Sequence, residues 1–193
     1  MSSDFHYGHT NICLGTSQWN DKSGCRKFLT LKDMNDTIVD SINNVVMEDD
    51  ILWHLGDWSF GKFENIESLR DRIFCKNIYH IFGNHDYKMR TNYSLQRENF
   101  VWCGDYCEIW THFNNQKQLI VLSHYAMSVF NGSHKNSIQL FGHSHGTYSP
   151  VGRQLDVGWD VFKQPISLLE VCNLLKHTQP ARPDHHNANT NVF

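Results

Sequence analysis

Five short polar motifs sit where apolar runs of the sequence end: "DFH" at 4–6, "GD" at 56–57, "GNHD" at 83–86, "SH" at 123–124 and "GHSH" at 142–145. They supply the carboxylates of Asp4 and Asp57, the amide of Asn84, and the imidazoles of His6, His124, His143 and His145. Oxygen and nitrogen donors without a thiolate suit Mn, Fe, Zn or Ni and do not make a structural cysteine zinc. Seven donors are too many for one ion. With Asp57 shared they divide into two groups of four, the number wanted by two ions about 3.5–4 Å apart. In "DFH" and "HSH" one residue separates the candidates, so in extended chain both side chains face one way. A lone Gly-Asp is usually a turn and a lone His is usually a satisfied surface or core residue; five motifs in this order are harder to explain so. The expectation is a site for two divalent ions, manganese favoured.

Such groups meet only if strands deliver them to one edge, where loops present side chains on a rigid frame. "DILWHL" at 50–55 and "NIYHIF" at 77–82 are apolar runs that open on Gly-Asp and Gly-Asn, the pattern of buried strands. Leu31, Met34, Ile38 and Ile42 recur at helical spacing behind Thr30 as a cap, which predicts a helix over 30–47; 64–73 is helical as well. "YCEIWTHF", "NNQK" and "QLIVLSH" predict a hairpin, "SIQLFGHSHG" at 137–146 a strand, and "GRQLDVGWDV" at 152–161 another. Pro165 opens a short helix as its first residue. Alternating strands and helices followed by a strand-rich half imply a layered α/β domain over 1–176. Residues 177–193 are polar and carry no apolar period, so they read as a frayed tail with His185 and His186 as bystanders.

Composition bounds the rest. A chain of 193 residues, 40% apolar and 19% charged, has material for one domain with a buried core. A net charge of -3 weighs against an extended duplex nucleic acid partner, since that requires an excess of Lys and Arg. No apolar run is long enough to span a bilayer, and "MSSDFHYGH" has neither a basic nor an apolar region, so a cytoplasmic protein is expected. The six cysteines, at 13, 25, 75, 103, 107 and 172, form no CxxC pair; reduced thiols are expected, with Cys103 and Cys107 as apolar fillers.

The order D-x-H, GD, GNHD, H, GHxH resembles the calcineurin-like metallophosphoesterase superfamily over residues 4–160, with GNHD and GHSH its specific parts. "DFHYGHTNI" and "GRQLDVGWD" resemble its small stand-alone bacterial and phage members. The serine/threonine protein phosphatases are a poorer match, because "GDWSFG" stands where they have GDxxDRG and "GNHD" where they have GNHE. The resemblance implies a four-layer αββα sandwich, two sheets face to face with helices outside. It implies that Asp4, His6 and His145 hold one ion, that Asn84, His124 and His143 hold a second, and that Asp57 bridges both. A water activated between the ions would attack phosphorus. His85 would protonate the leaving alkoxide or bind phosphate, with Asp86 orienting it, and Asn84 and His9 would also face the substrate.

A small or nucleotide-type phosphodiester is the expected substrate, with Trp58, Phe60, Tyr87 and Tyr125 as candidates for stacking a base and His54 and His80 as packing residues behind the ligands. Members of the superfamily have a full strand before D-x-H, whereas only Met1, Ser2 and Ser3 precede Asp4, so most of a first strand is expected to be missing, through a start set too late. The alternatives are a nuclease, for which Arg70, Arg72, Lys88 and Arg90 are scattered candidates, a phosphomonoesterase or protein phosphatase, and a non-catalytic scaffold of the same fold. Scaffolds lose catalytic positions, and this chain carries the set entire. Oligomeric state is left open.

Overall fold

The computed structural model describes residues 1–17 and 26–182; Cys25, His185 and His186 lie outside the described residues. In chain order the elements are α1 (Thr10–Leu14), α2 (Leu31–Asn43), β1 (Ile51–His54), α3 (Phe63–Arg72), β2 (Asn77–Ile81), α4 (Tyr87–Arg90), α5 (Tyr93–Asn99) and β3 (Trp102–Gly104). β4 (Tyr106–Phe113), β5 (Gln116–Ser123), β6 (Ile138–Phe141), β7 (Gln154–Asp156), α6 (Trp159–Phe162) and α7 (Leu168–Leu174) follow. The class is mixed α/β with two sheets, ordered β1-β2-β3 and β4-β5-β6-β7.

The first sheet is parallel and places His54 beside His80. In the second, β4 and β5 are an antiparallel hairpin closed by Asn114 and Asn115, at φ 50° and 62°, the double left-handed turn that suits tight hairpins. β5, β6 and β7 run parallel. Parallel strands end on one edge, so the loops after β1, β2, β5 and β6 open together.

The packing follows the sequence periods. Thr30 Oγ1 accepts from Asp33 N at 3.1 Å and caps α2, whose Met34, Ile38 and Ile42 are buried. They join Leu69 of α3, Leu95 of α5 and Leu52 and Ile78 of the first sheet in one cluster. Trp53, Leu55 and Ile81 face the other way, against Ile120, Leu122, Ile138 and Leu140, so the two sheets share a core that also receives Val171 of α7. Along β5 the alternate residues Leu119 and Val121 turn instead to Phe130 and Met127 of the following loop.

Several expectations are adjusted. The stretch 152–161 is strand only at Gln154–Asp156; Asp156 Oδ1 accepts from Gly158 N at 2.7 Å, and the chain turns into α6. Pro165 does not begin α7: Ser167 caps it, in a reciprocal box with Glu170. Residues 1–3 are not an independent strand, but Ser2 pairs with His54 and Ser3 with Gly158 in parallel bridges, so the segment runs between β1 and the loop after β7. At the start of the expected tail, Arg153 donates to the carbonyl oxygens of Leu175 and Thr178 at 2.7 and 3.2 Å. No helix among the described residues is long and apolar enough to cross a membrane.

Candidate metal centre

All seven expected ligand residues come to one edge. Asp4, His6 and His145 offer ligand atoms within 4.8 Å of one another, as do Asp57, His124 and His143, and as do His6, Asp57 and His85. Asp57 Oδ2 lies 3.5 Å from His6 Nε2 and 3.6 Å from His124 Nε2, between the two triads. Asn84 Oδ1 is 3.1 Å from His124 Nε2. These separations resemble those of donors around one ion at about 2.1 Å, which stand about 3–3.4 Å apart.

The backbone is strained to achieve this. Asp4, His6, Asp57, His143 and His145 have φ of 57°, 49°, 60°, 65° and 48°, the left-handed region that costs a non-glycine residue about 1 kcal/mol or more. They are the larger part of the nine such residues among the described ones. Two glycines permit the close approach. A Cβ on Gly83 would lie 2.5 Å from Asp57 N and closer still to Asp57 Oδ1, and one on Gly142 would run into Ser3 Oγ and Asp4 Oδ2. The glycines of "GNHD" and "GHSH" therefore make room for the carboxylates.

Three of the candidate ligands are held from behind. His124 Nδ1 is 2.8 Å from Leu55 O, which only accepts, so the proton sits on Nδ1 and Nε2 faces the centre. His145 Nδ1 bonds Asp160 Oδ2 at 2.7 Å in the same manner. Asp4 accepts from His143 N at 2.9 and 3.1 Å, joining the first and last motifs. Asp156 accepts from Ser144 Oγ at 2.5 Å and Gly146 N at 2.9 Å, bracing the "GHSH" loop. Arg26, Asp156 and Asp160 were not singled out by sequence. The two aspartates had a faint signal in "DVGWD", four residues apart around a glycine, and Arg26 had none.

The catalytic candidates separate. His85 stands at the mouth, half-buried, with its N–H donating to Asp57 Oδ1 at 2.8 Å and its ring 5.2 Å from His6 and 5.0 Å from Phe60. Asp86 does not reach that ring. Buried at 3% exposure, it accepts from Asp57 N (2.8 Å), Gly83 N (2.7 Å), Trp58 N (3.1 Å) and His80 Nε2 (3.1 Å), and so ties two loops together. Adjacent side chains on a turn point apart, which is why the carboxylate turns inward while the imidazole turns out. His80 continues to His54, Nδ1 to Nδ1 at 3.1 Å. His9 is buried behind the centre with Nδ1 3.4 Å from His6 Nδ1 and its ring stacked on Phe60 at 3.7 Å. Of the stacking candidates, Trp58 is fully buried and Phe60 is covered by His9, whereas Tyr87 and Tyr125 are exposed. Tyr125 lies 4.7 Å from His143 and 4.9 Å from His124.

The electrostatics call for added positive charge. Burial, with Asp86 and Asp4 nearby, pushes the Asp57 carboxyl up to about 9, and burial lifts Asp4 to about 6. Burial holds His6 well below its usual range and lowers His124, His143 and His85. Among the ligand imidazoles His145 alone is raised, because burial is outweighed by its hydrogen bond to Asp160 and by Asp4. The imidazoles therefore offer little positive charge to two buried carboxylates, which ionise cheaply only beside a cation. His6 Nε2, fully buried, has no hydrogen-bond partner among the described residues and is aimed between Asp4 and Asp57. That orphaned nitrogen and the all oxygen and nitrogen donor set fit two divalent ions.

No protein-family model matches the chain. It is 35% identical over 88 residues to the uncharacterized protein MJ1445 of Methanocaldococcus jannaschii, and the match spans 45% of each protein. The crystal structure of a protein of unknown function, AQ665 from Aquifex aeolicus, superposes with a TM-score of 0.57 over 90% of this chain and 96% of that one, at 19% identity. The second likeness is one of fold alone.

Proposed function

We propose that this chain is a binuclear metal-dependent phosphoester hydrolase of the calcineurin-like metallophosphoesterase kind, built on a four-layer αββα frame and acting on small or nucleotide-type phosphodiesters. The observation that carries the reading is Asp57, held in left-handed backbone between two donor triads, with the buried His6 Nε2 turned toward it. Asp4, His6 and His145 would hold one ion, Asn84, His124 and His143 the other, and Asp57 both. Two such ions, when bound, supply the positive charge that makes a water nucleophilic near neutral pH and that offsets charge on the phosphoryl oxygens.

The protein's own groups do the remainder. His85 faces outward over Asp57 and holds or delivers a proton at its ring toward a leaving alkoxide. Asn84 and His143 line the open side and orient the phosphoryl group. Lys88 and Arg90, which follow "GNHD", are committed to Gly61 O and Asp105, and Arg26 to Asp160. A mouth furnished with imidazole and amide instead of guanidinium suits the single charge of a diester better than the two of a monoester.

The test is a metal-stripped preparation assayed with an aryl phosphodiester and an aryl phosphomonoester while Mn, Zn, Fe or Ni is restored in turn. Diester hydrolysis that depends on metal, and is abolished in Asp57→Asn, is the expected result. Protein that takes up no divalent ion, or that turns over neither ester with any of them, refutes it.

A further inference from the structure

The half of the centre that holds Asp4, His6 and His145 rests on a buried pair that belongs to none of the five motifs. Arg26 Nε and Nη2 donate to Asp160 Oδ1 and Oδ2 at 3.0 and 2.9 Å, with the two side chains 1% and 5% exposed. The same guanidinium continues inward, where Nη1 donates to Phe5 O at 2.6 Å and Nη2 to Asp4 O at 2.5 Å. The pair is placed from both sides: Arg26 N donates to Ile12 O at 2.8 Å, and the guanidinium lies 4.7 Å from the Trp159 ring, one residue before Asp160.

Each contact has a consequence for the ligands. Asp160 Oδ2 can only accept, so the His145 nitrogen 2.7 Å away must carry the proton, and Nε2 becomes the basic nitrogen on the side of Asp4 Oδ1, 4.0 Å off. The left-handed Asp4 and His6 turn the carbonyls of residues 4 and 5 to one side, where one planar fork meets both. We infer that Arg26 and Asp160 form a positioning unit, which sets the tautomer of His145 and holds the strained "DFH" turn so that one ion's ligands are arranged before the ion arrives. This rests on the metal-centre reading above and adds two residues that touch neither ion nor substrate.

The unit can be opened at either member. In Asp160→Ala, Arg26 loses both carboxylate acceptors and His145 Nδ1 loses the oxygen that fixes its proton, which releases the ring toward the Nε2-protonated form that blocks the nitrogen needed for the ion. Arg26→Lys keeps a charge but loses the fork that spans Asp160 and two carbonyls.

Long-range nitrogen-15 NMR of the His145 ring, taken on metal-free protein, reads the tautomer without reference to activity. At a pH where the ring is neutral, wild type is expected with its single proton on Nδ1 and Asp160→Ala with that proton moved to Nε2. Metal counting and calorimetry with Mn are expected to give two ions per chain in wild type. In both variants one ion is expected to bind about 10- to 100-fold more weakly, the usual effect of losing a group behind a ligand. Circular dichroism checks that the variants fold. If neither folds, wild type alone decides, because a neutral, metal-free His145 with its single proton on Nε2 overturns the inference. It is overturned equally if Asp160→Ala keeps the Nδ1 proton and both ions bind as before. Wild type that binds no Mn while its His145 is protonated on Nδ1 instead sinks the metal-centre reading and leaves the positioning unit standing.

Discussion

Asp86 gives the sharpest contrast between a role suggested by adjacency and one seen in space. If it oriented His85, removing it would slow catalysis and leave stability alone. Its two oxygens instead serve three main-chain N–H groups and His80 Nε2, all buried. Asp86→Ala strands these donors. At about 1–3 kcal/mol for each buried donor left unmade, and allowing water to rescue some, the loss is on the order of 4 kcal/mol, a large part of an ordinary domain's 5–15. Asp86→Asn can keep its oxygen toward Asp57 N, Gly83 N and His80 and turn its nitrogen to Trp58 N, so about one bond is lost, at about 1–3 kcal/mol.

Urea unfolding of metal-free protein reads both: with a slope of about 2 kcal/mol per molar, the midpoint should fall by about 2 M for Ala and 0.5–1.5 M for Asn. Burial works against the ionised carboxylate, but His80 and the N–H groups outweigh it and hold Asp86 well below the usual range. Its contribution is therefore complete above an unfolded value near pH 4 and lost as pH falls through the folded one, so the gap between wild type and Asn should narrow in acid. An Ala variant whose midpoint matches wild type would refute the clamp.

Other outcomes follow from the same contacts. His85→Ala should keep both ions and lose about 10²–10⁴-fold in hydrolysis of an unactivated diester, since only a proton donor is removed; equal rates would exclude the acid role. Gly142→Ala places a methyl against Ser3 and Asp4 and should cost about 1–3 kcal/mol and weaken metal uptake, read by melting and metal analysis; a variant with wild-type melting and metal content would show that this approach is not tight. Because Asp4 and Asp57 are raised to about 6 and about 9, metal-free protein holds protons that the unfolded chain has released, and its stability should fall as pH rises from about 4 to 9. Divalent ions displace those protons, so added Mn should raise the melting temperature more at pH 8.5 than at pH 5.5; an equal gain would refute it.

What was legible in the sequence was whatever a local pattern specifies. β1 and β2 were visible because their apolar runs stop abruptly at Gly56 and Gly83, and α2 because its buried face recurs at helical spacing. α4 and α5 were not, since "YKMR" and "YSLQREN" bury little and carry no period. The ligand residues stood out by type, but their backing did not. Arg26 and Asp160 are 134 positions apart, and nothing near either one announces the other. The inward turn of Asp86 was hidden for a different reason: chain order says who is adjacent, and only the turn's geometry says which way each side chain leaves it.

The tether through Asp86 divides labour along the rim. Since one carboxylate grips the backbone on either side of Asp57 and at Gly83, those two loops cannot drift apart, and Asp57 keeps a fixed floor whatever lies above it. The opposite bank, with Tyr125, His143 and Tyr148, is exposed and lies outside that grip. Sequence variation should therefore accumulate at the exposed Tyr125, Ser128, Val129 and Asn131 and over 147–151, where residues can be exchanged without disturbing the anvil beneath.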